Sequence, residues 1–315
     1  MNERNDSRSG PVLLTGGSGF VGSRVARRLV AAGRRVRAIV RAKGAAPELA
    51  DPAVSGSIEE IEGDFTRPEV AGPAAAGASA VVHCAATGGP DMETARRVNV
   101  EGTRAMVEAA ERAGVRQYVQ ISTMSVYVRG PEGTLDEDAP LKQEGDPYGF
   151  TKAEADRVVL AAMERGLPAV ILRPGAILGA HRTSTWAVAM PARIRDGQVK
   201  LRGDGREIIP WVHVDDLAEA VLLALDDDRA VGRVYNMTDG GMTWRRYTDD
   251  VRSWFGTAPL VETPVAEFGG YWMGDFDASR IRRELGYRPR HGYDEGMAEA
   301  AAHWARERAS RQPSR

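Results

Sequence analysis

The sequence predicts an α/β protein: a doubly wound parallel sheet with a smaller, mostly C-terminal substrate-binding lobe. Three observations predict this. Short apolar runs alternate with longer amphipathic stretches from Pro11 to Arg173, the rhythm of parallel strands joined by crossover helices. A glycine-rich turn, Thr15-Gly16-Gly17-Ser18-Gly19-Phe20-Val21-Gly22, follows the first apolar run and opens the first helical stretch. After Arg173 the alternation breaks down, and beyond Asp239 aromatic residues become frequent.

Taken in order, Val12-Leu13-Leu14 reads as strand one, and Phe20 to Ala32 as a helix closed by Gly33. Val36 to Val40, Ser57 to Ile61 and Ala80 to Cys84 read as strands two to four. A helix from about Met92 to Ala113 stops at Gly114, a residue suited to the left-handed position after a helix. Gln117 to Ile121 is strand five, Tyr148 to Arg165 a helix stopped by Gly166, and Ala169 to Leu172 strand six. Trp186 to Asp196 reads as a helix, and Ile208 to Val214 leads through Asp215-Asp216 into an apolar helix ending near Leu225. The sheet domain is therefore expected over residues 1–174 and about 207–238. The lobe is expected over about 175–206 and 239–308, drawing on Trp244, Tyr247, Trp254, Phe268, Tyr271, Trp272 and Phe276, with 309–315 a frayed tail.

A chain of 315 residues with 43% hydrophobic and 27% charged residues has ample core for such a fold. The net charge of -2 gives no bulk electrostatic pull towards nucleic acid or a membrane surface. The polar stretch Met1 to Gly10 lacks the apolar centre of a secretory signal, and no apolar run is long enough to span a bilayer. The single cysteine, Cys84, cannot form an intramolecular disulfide and fits a reducing compartment. A cytoplasmic protein acting on a small molecule is expected, without metal, since the five histidines show no ligand spacing.

The turn at Gly16, Ser18, Gly19, Phe20, Val21 and Gly22 has the strand–turn–helix setting of a dinucleotide site. Its glycines permit a tight turn and close approach of backbone to a pyrophosphate, which the helix N-terminus then faces. A site for NAD places an acid about 20 residues further on, to hold the ribose 2′-hydroxyl. Between Ser23 and Pro47 there is no Asp or Glu; the segment carries Arg24, Arg27, Arg28, Arg34, Arg35, Arg37, Arg41 and Lys43 instead. Arg41 lies just past strand two, where a guanidinium suits a 2′-phosphate. NADP(H) is therefore expected over NAD(H), the other arginines being solvated faces of helix and strand.

Asp146-Pro147 precedes Tyr148-Gly149-Phe150-Thr151-Lys152, an N-cap followed by a residue tolerated in the first turn. Tyr148 and Lys152 are then four apart on one helix face. An ammonium beside a phenol favours tyrosinate and pulls its pKa below about 10, as a general acid/base requires. With 8 tyrosines and 4 lysines, about one chain in ten would carry such a pair by chance.

The motifs around the pair are more specific. Gly63-Asp64-Phe65, His83-Cys84-Ala85-Ala86, Asn99-Val100-Glu101-Gly102-Thr103 and Ile121-Ser122-Thr123-Met124-Ser125-Val126-Tyr127 follow in order, then Leu172-Arg173-Pro174-Gly175-Ala176-Ile177-Leu178-Gly179, Val212-His213-Val214-Asp215-Asp216 and Glu284-Leu285-Gly286-Tyr287-Arg288-Pro289. Over nearly its whole length the chain resembles the extended short-chain dehydrogenase/reductase family, also called the NAD(P)-dependent epimerase/dehydratase family. The resemblance implies a Rossmann-type sheet and a catalytic trio of Thr123, Tyr148 and Lys152. Thr123 would bond the substrate oxygen, Tyr148 would move the proton, and Lys152 would hold the ribose hydroxyls. It further implies cofactor contacts from Asp64, Phe65, Ala85, Ala86, Asn99 and Pro174, besides the glycine turn. Substrate contacts are expected from Thr87, Gly88, Met124, Ser125, Ile177 and Trp186, under a cover formed by Thr87 to Pro90, Ala176 to Trp186 and the lobe. Dimerisation through the helices at about 92–113 and 148–165 is common in the family and is permitted here.

Within the family, sugar-nucleotide 4,6-dehydratases follow the catalytic Thr with an Asp-Glu pair; here Met124 and Ser125 stand there, and neither is an acid or base. The second strand, Val36-Arg37-Ala38-Ile39-Val40-Arg41, resembles that of carbonyl reductases of the dihydroflavonol-reductase and 3β-hydroxysteroid-dehydrogenase types. An NADP(H)-dependent ketoreductase or alcohol dehydrogenase is the leading expectation. A nucleotide-sugar epimerase is the alternative, and a non-enzymatic NADP-binding sensor a third reading that the retained trio disfavours. Cys84 and His83 are expected to be structural, as is His213 beside Asp215 and Asp216.

Overall fold

The computed structural model describes residues 10–89, 91–129, 133–257, 260, 262–264 and 275–311. Pro90, Phe268, Tyr271 and Trp272, assigned above to the cover and the lobe, lie outside the described residues. So does most of the expected frayed tail.

Seven strands form a single parallel sheet: β1 (Val12–Thr15), β2 (Val36–Val40), β3 (Ile58–Glu62), β4 (Ala80–His83), β5 (Gln117–Ile121), β6 (Ala169–Pro174) and, later in the chain, Arg233–Met237. β7 (Ala176–Leu178) and β8 (Ile208–His213) precede the last of these, so that Arg233–Met237 is β9; Gly240–Thr243 is β10. Strand β8, expected in the sheet domain, instead joins β7 and β10 in a separate sheet of the lobe. The sheet order is β9-β6-β5-β4-β1-β2-β3, every neighbour parallel. The order reverses between β1 and β4, which opens a crevice at their C-terminal ends, the place where open α/β sheets take ligands.

The central strands β1, β4 and β6 are mostly apolar and buried because helices cover both faces, whereas the edge strand β3 (Ile58-Glu59-Glu60-Ile61-Glu62) is only partly buried. On one side α1 (Phe20–Ala31) supplies Val25, Ala26 and Leu29 to the core. On the other side α2 (Pro68–Ala75), α3 (Gly102–Ala113) and α4 (Pro147–Glu164) cover Leu13, Val81, Tyr118 and Ile171 with Ala71, Met106, Ala110 and Val159. Helix α5 (Val214–Asp226) lies beside α1 and adds Leu217 and Val221 to the first core. The helix expected from Met92 to Ala113 is interrupted: residues Arg96–Glu101 form a π turn between Met92–Ala95 and α3. The cause is tertiary. The wider turn buries the Asn99 side chain, and Gly102 leaves room for Phe65, whose ring would lie 2.5 Å from a Cβ there. The segment expected as one helix from Trp186 likewise begins as a π turn, Thr185–Ala189, before Met190–Arg195.

In the lobe, β8 pairs parallel with β7 and antiparallel with β10. Helix α6 (Trp244–Phe255) and the C-terminal α7 (Tyr293–Arg311) pack on them through Tyr247, Val251, Tyr293 and Met297. Among the described residues no helix is long and apolar enough to cross a membrane.

One buried polar network ties α4 to β6 and β9. Arg173 Nε donates to Asp156 Oδ2 at 2.9 Å, the two side chains 2% and 0% exposed. Arg173 also donates to the Tyr127 hydroxyl (2.9 Å) and the Glu137 carbonyl (3.1 Å), and Tyr127 donates onward to Asn236 Oδ1 (2.6 Å). Removing one partner of a buried pair leaves an uncompensated charge. Asp156→Ala is therefore expected to destabilise the fold by about 3–5 kcal/mol, read from urea unfolding; a loss below about 1 kcal/mol would mean that water reaches Arg173.

Candidate active site

The glycine turn is built for close approach. Gly16 adopts φ +71°, and a Cβ on it would lie 2.8 Å from the Ala85 nitrogen. A Cβ on Gly22 would lie 2.1 Å from the Gly16 carbonyl oxygen. Gly19 caps α1 without any side chain on the first-turn amides, so those N–H groups and the helix dipole face the crevice. This cradle fits a dinucleotide pyrophosphate. Behind it, Ala85 N donates to Thr15 Oγ1 (3.2 Å), which lies 2.6 Å from His83 Nδ1. With the threonine proton directed at Nδ1, the imidazole is the neutral Nε2–H form. Burial agrees with that, pushing the His83 pKa down to about 3. His83 thus locks the ends of β1 and β4 together, the structural part expected of it.

Thr123 follows β5 in extended backbone (φ −162°, ψ 151°), and its Oγ1 accepts from Ser125 N at 3.1 Å. Tyr148 comes from the first turn of α4, held by Asp146, whose Oδ1 accepts from Gly149 N at 2.8 Å. Tyr148 and Thr123 line the same cleft and lie close enough for the Thr123 hydroxyl to act on the phenol. The approach that allows it depends on Gly149: a Cβ there would lie 2.7 Å from the Ser125 carbonyl oxygen. Lys152, buried on the same helix, donates from Nζ to the Ile121 carbonyl at 2.8 Å.

The electrostatics differ from the expectation of a lysine-lowered phenol. Burial raises the Tyr148 pKa above its ordinary value; the Thr123 hydroxyl opposes this, and the Asp146 and Asp156 carboxylates add to it. Lys152 itself is pushed down by burial, with Asp156 and Cys84 opposing. In the protein alone, then, desolvation outweighs any help from the ammonium, whose proton is directed at a strand carbonyl.

Asn99, expected against the cofactor, is engaged within the protein. Its Nδ2 donates to the Thr87 carbonyl (3.0 Å) and to Thr151 Oγ1 (2.9 Å), and its Oδ1 accepts from Thr87 N (2.9 Å). It fixes the loop after β4 against the helix that carries Tyr148.

A cleft of about 1090 Å³ runs from the glycine turn to the lobe. It is lined by Gly16, Gly19, Phe20, Val21, Gly22, Ala86 and Pro174, by Thr123 and Tyr148, and by Thr87, Gly88, Met124, Ser125, Ile177 and Trp186. Ser18, Arg41, Asp64, Phe65, Ala85, Asn99 and Lys152 are not on its wall. Asp64 accepts from Thr66 N (3.0 Å) and faces Arg97 (3.5 Å), while Phe65 packs edge-on against His83. Cys84 lines the cleft, half-buried, its thiol pushed up to about 12 by burial and thus inert.

Sequence reasoning missed Glu48. Its Oε1 lies 3.0 Å from His181 Nε2 and accepts from Arg182 Nε at 3.1 Å, while the His181 ring stacks on Phe20 at 5.8 Å. The segment after β7 is thereby clasped over the glycine turn. The histidines also behave in a way that spacing did not indicate: His213, Asp215 and His291 meet within 4.8 Å. Their rings stack at 4.2 Å, however, which aims in-plane lone pairs side by side, and Asp215 N, Asp216 and Arg24 already engage them.

Residues 12–238 match the model of the NAD dependent epimerase/dehydratase family. The chain belongs to that family. It is an extended short-chain dehydrogenase/reductase, a nicotinamide-dinucleotide-dependent class, as the motif order implied. It is 32% identical over 303 residues to a dTDP-glucose 4,6-dehydratase of Streptomyces antibioticus, covering 91% of this chain and 90% of the relative. It is 31% identical over 274 residues to a 2-alkyl-3-oxoalkanoate reductase of Stenotrophomonas maltophilia, covering 84% and 81%. Among solved structures, a dTDP-glucose 4,6-dehydratase of Streptomyces venezuelae with NAD and TYD bound superposes with a TM-score of 0.80 at 26% identity, covering 96% and 99%.

The raised phenol has a spectroscopic consequence. A group whose pKa lies above about 10 stays protonated through neutral pH. In cofactor-free protein the ultraviolet difference between wild type and Tyr148→Phe should show no tyrosinate up to about pH 9. Ionisation of Tyr148 below that pH would mean that Lys152, not burial, governs the phenol.

Proposed function

We propose that this protein is an NADP(H)-dependent oxidoreductase that interconverts a carbonyl and a secondary alcohol. The observation that carries the reading is the Thr123–Tyr148 pair at the end of β5, with Met124 and Ser125 beside it. A ketone oxygen placed between the two hydroxyls meets a hydrogen-bond donor in Thr123 and a proton donor in Tyr148. The raised pKa keeps the phenol in the acid form that reduction needs. Lys152, buried one helical turn on, would hold ribose hydroxyls and restore the phenol's proton by turning its ammonium from the Ile121 carbonyl towards the cleft. The nicotinamide supplies the hydride. Elimination from a hexose, by contrast, needs an acid and a base next to Thr123. Met124 is a buried thioether and Ser125 a hydroxyl, so dehydration has no agent there. The similarity to a 2-alkyl-3-oxoalkanoate reductase supports a carbonyl substrate.

For the cofactor we assign the phosphorylated form, although the Streptomyces venezuelae structure holds NAD. Arg24, Arg27, Arg28 and Arg37 are consumed by Asp215, Asp51, Glu219 and Glu59, and Arg34 by Asp226. Arg41 is exposed at the end of β2, without an ion pair to any described residue, and can meet a 2′-phosphate. A charge-assisted contact contributes about 1.5–3 kcal/mol. Arg41→Ala should therefore weaken NADPH binding about 10- to 100-fold and leave NADH nearly unchanged, measured by titration. Tighter binding of NADH by the wild type, with a ratio unmoved by Arg41→Ala, would refute the assignment.

The similarity to dTDP-glucose dehydratases favours a second reading, nucleotide-sugar epimerisation, which needs the same tyrosine but no adjacent acids. A panel of ketones with NADPH separates the two. Turnover is expected, and Tyr148→Phe should reduce it about 10²- to 10⁴-fold while cofactor affinity holds. C4 epimerisation of dTDP- or UDP-glucose without ketone reduction would reverse the choice. Cofactor binding with neither activity would indicate a sensor.

A further inference from the structure

The cleft changes character along its length. At the inner end stand Thr123 and Tyr148. Beyond them the wall carries Ile177, Trp186, Ile209 and Trp244, all half-buried and therefore still offering apolar surface. This wall is firm. The Tyr247 hydroxyl donates to the Trp186 carbonyl at 2.6 Å, and the Trp186 and Trp244 rings meet edge to face at 6.0 Å. Arg193 and Lys200 also line the cleft, and both are exposed to solvent. Neither side chain makes a hydrogen bond or ion pair with any described residue. Nearby cations do: Arg195 binds Asp196, and Arg246 binds Asp294. The two other charged residues on the wall also have partners, Arg129 over the Phe276 ring and Glu207 within the protein. Two uncommitted, solvent-exposed cations thus line the same cleft as the apolar Trp186–Trp244 wall.

On the strength of the reductase assignment above, we propose that the substrate is a ketone with an apolar body ending in an anionic group. The carbonyl meets Thr123 and Tyr148, the body lies on the Trp186–Trp244 wall, and a carboxylate or phosphate ends at Arg193 and Lys200. An apolar body gains by leaving water on that wall. A sugar gains less from the Trp186–Trp244 stretch, which offers its hydroxyls few partners. The cations, being exposed, act over about a Debye length, so their contribution is salt-dependent and adds to selectivity more than to raw affinity.

The test compares a medium-chain oxo-fatty acid, its methyl ester and a ketone-bearing alkyl phosphate as substrates, with UDP-glucose and dTDP-glucose as competitors. Tryptophan-fluorescence titration with decanoate and methyl decanoate gives a readout independent of turnover. In wild type the acid should exceed its ester in kcat/KM about three- to tenfold, through KM, and the excess should shrink at high salt. The acid-to-ester ratio should fall to about one in the Arg193→Ala/Lys200→Ala double variant and survive in Arg193→Lys/Lys200→Arg. Cofactor titration on the same samples reports folding. Preference for the acid over the alkyl phosphate assigns the anion as a carboxylate, and the reverse as a phosphate. Equal rates for acid and ester, or a preference that persists in the double variant, would overturn the anionic end. Tighter binding of either nucleotide sugar than of the acid would overturn the apolar body. Decanoate binding that depends on Arg193 and Lys200, without reduction of any ketone, would uphold the subsite and refute the reductase assignment instead.

Discussion

Helix α4 can bring Tyr148 close to Thr123 because position 149 has no side chain; any Cβ there would press on the Ser125 carbonyl. The rest of the site follows from that close approach. It sets the phenol beside the end of β5, puts Lys152 one turn deeper under the strand carbonyl of Ile121, and brings Thr151 to Asn99. Asn99 in turn holds the loop after β4, so one helix–strand contact orders three cleft walls. Backbone approach of this kind is intolerant of small errors, since packed interiors transmit displacement rather than absorb it.

The approach also explains the protonation states. Bringing the phenol and ammonium in from water disfavours both charged forms, which raises one pKa and lowers the other. The phenol thus keeps its proton at neutral pH. Asp156, one turn beyond Lys152, opposes the lysine's loss of charge and is itself neutralised by Arg173. The catalytic end of α4 and the buried network beneath it share one electrostatic balance, in which the pair at the bottom sustains the charge at the top.

Family membership sets the scaffold without setting the chemistry. The fold is shared with a dTDP-glucose 4,6-dehydratase at a TM-score of 0.80, but the residues flanking Thr123 belong to this chain's own site. Here those flanking residues are a buried methionine and a serine, neither an acid nor a base. The lobe adds an aromatic and aliphatic stretch, Trp186 and Trp244 among it, to the same cleft.

The sequence by itself determined the strand–helix alternation, the glycine turn, the spacing of Tyr148 and Lys152, and the motif order that identified the family. Those signals are local, resting on side-chain periodicity, caps and the steric freedom of glycine within a few residues. It did not reveal the π turn at Arg96–Glu101, the inward commitment of Asn99, the clasp of Glu48 on His181 or the meeting of His213 with His291. Nor did it show which of its many arginines are paired: Arg24, Arg28 and Arg37 look like Arg41 until the fold brings Asp215, Glu219 and Glu59 to them. Only tertiary packing decided these points, because they depend on distances between residues far apart in the chain. The direction of the Tyr148 shift belongs with them: a lysine four residues away is visible in the sequence, but the burial that outweighs it is a property of the folded site.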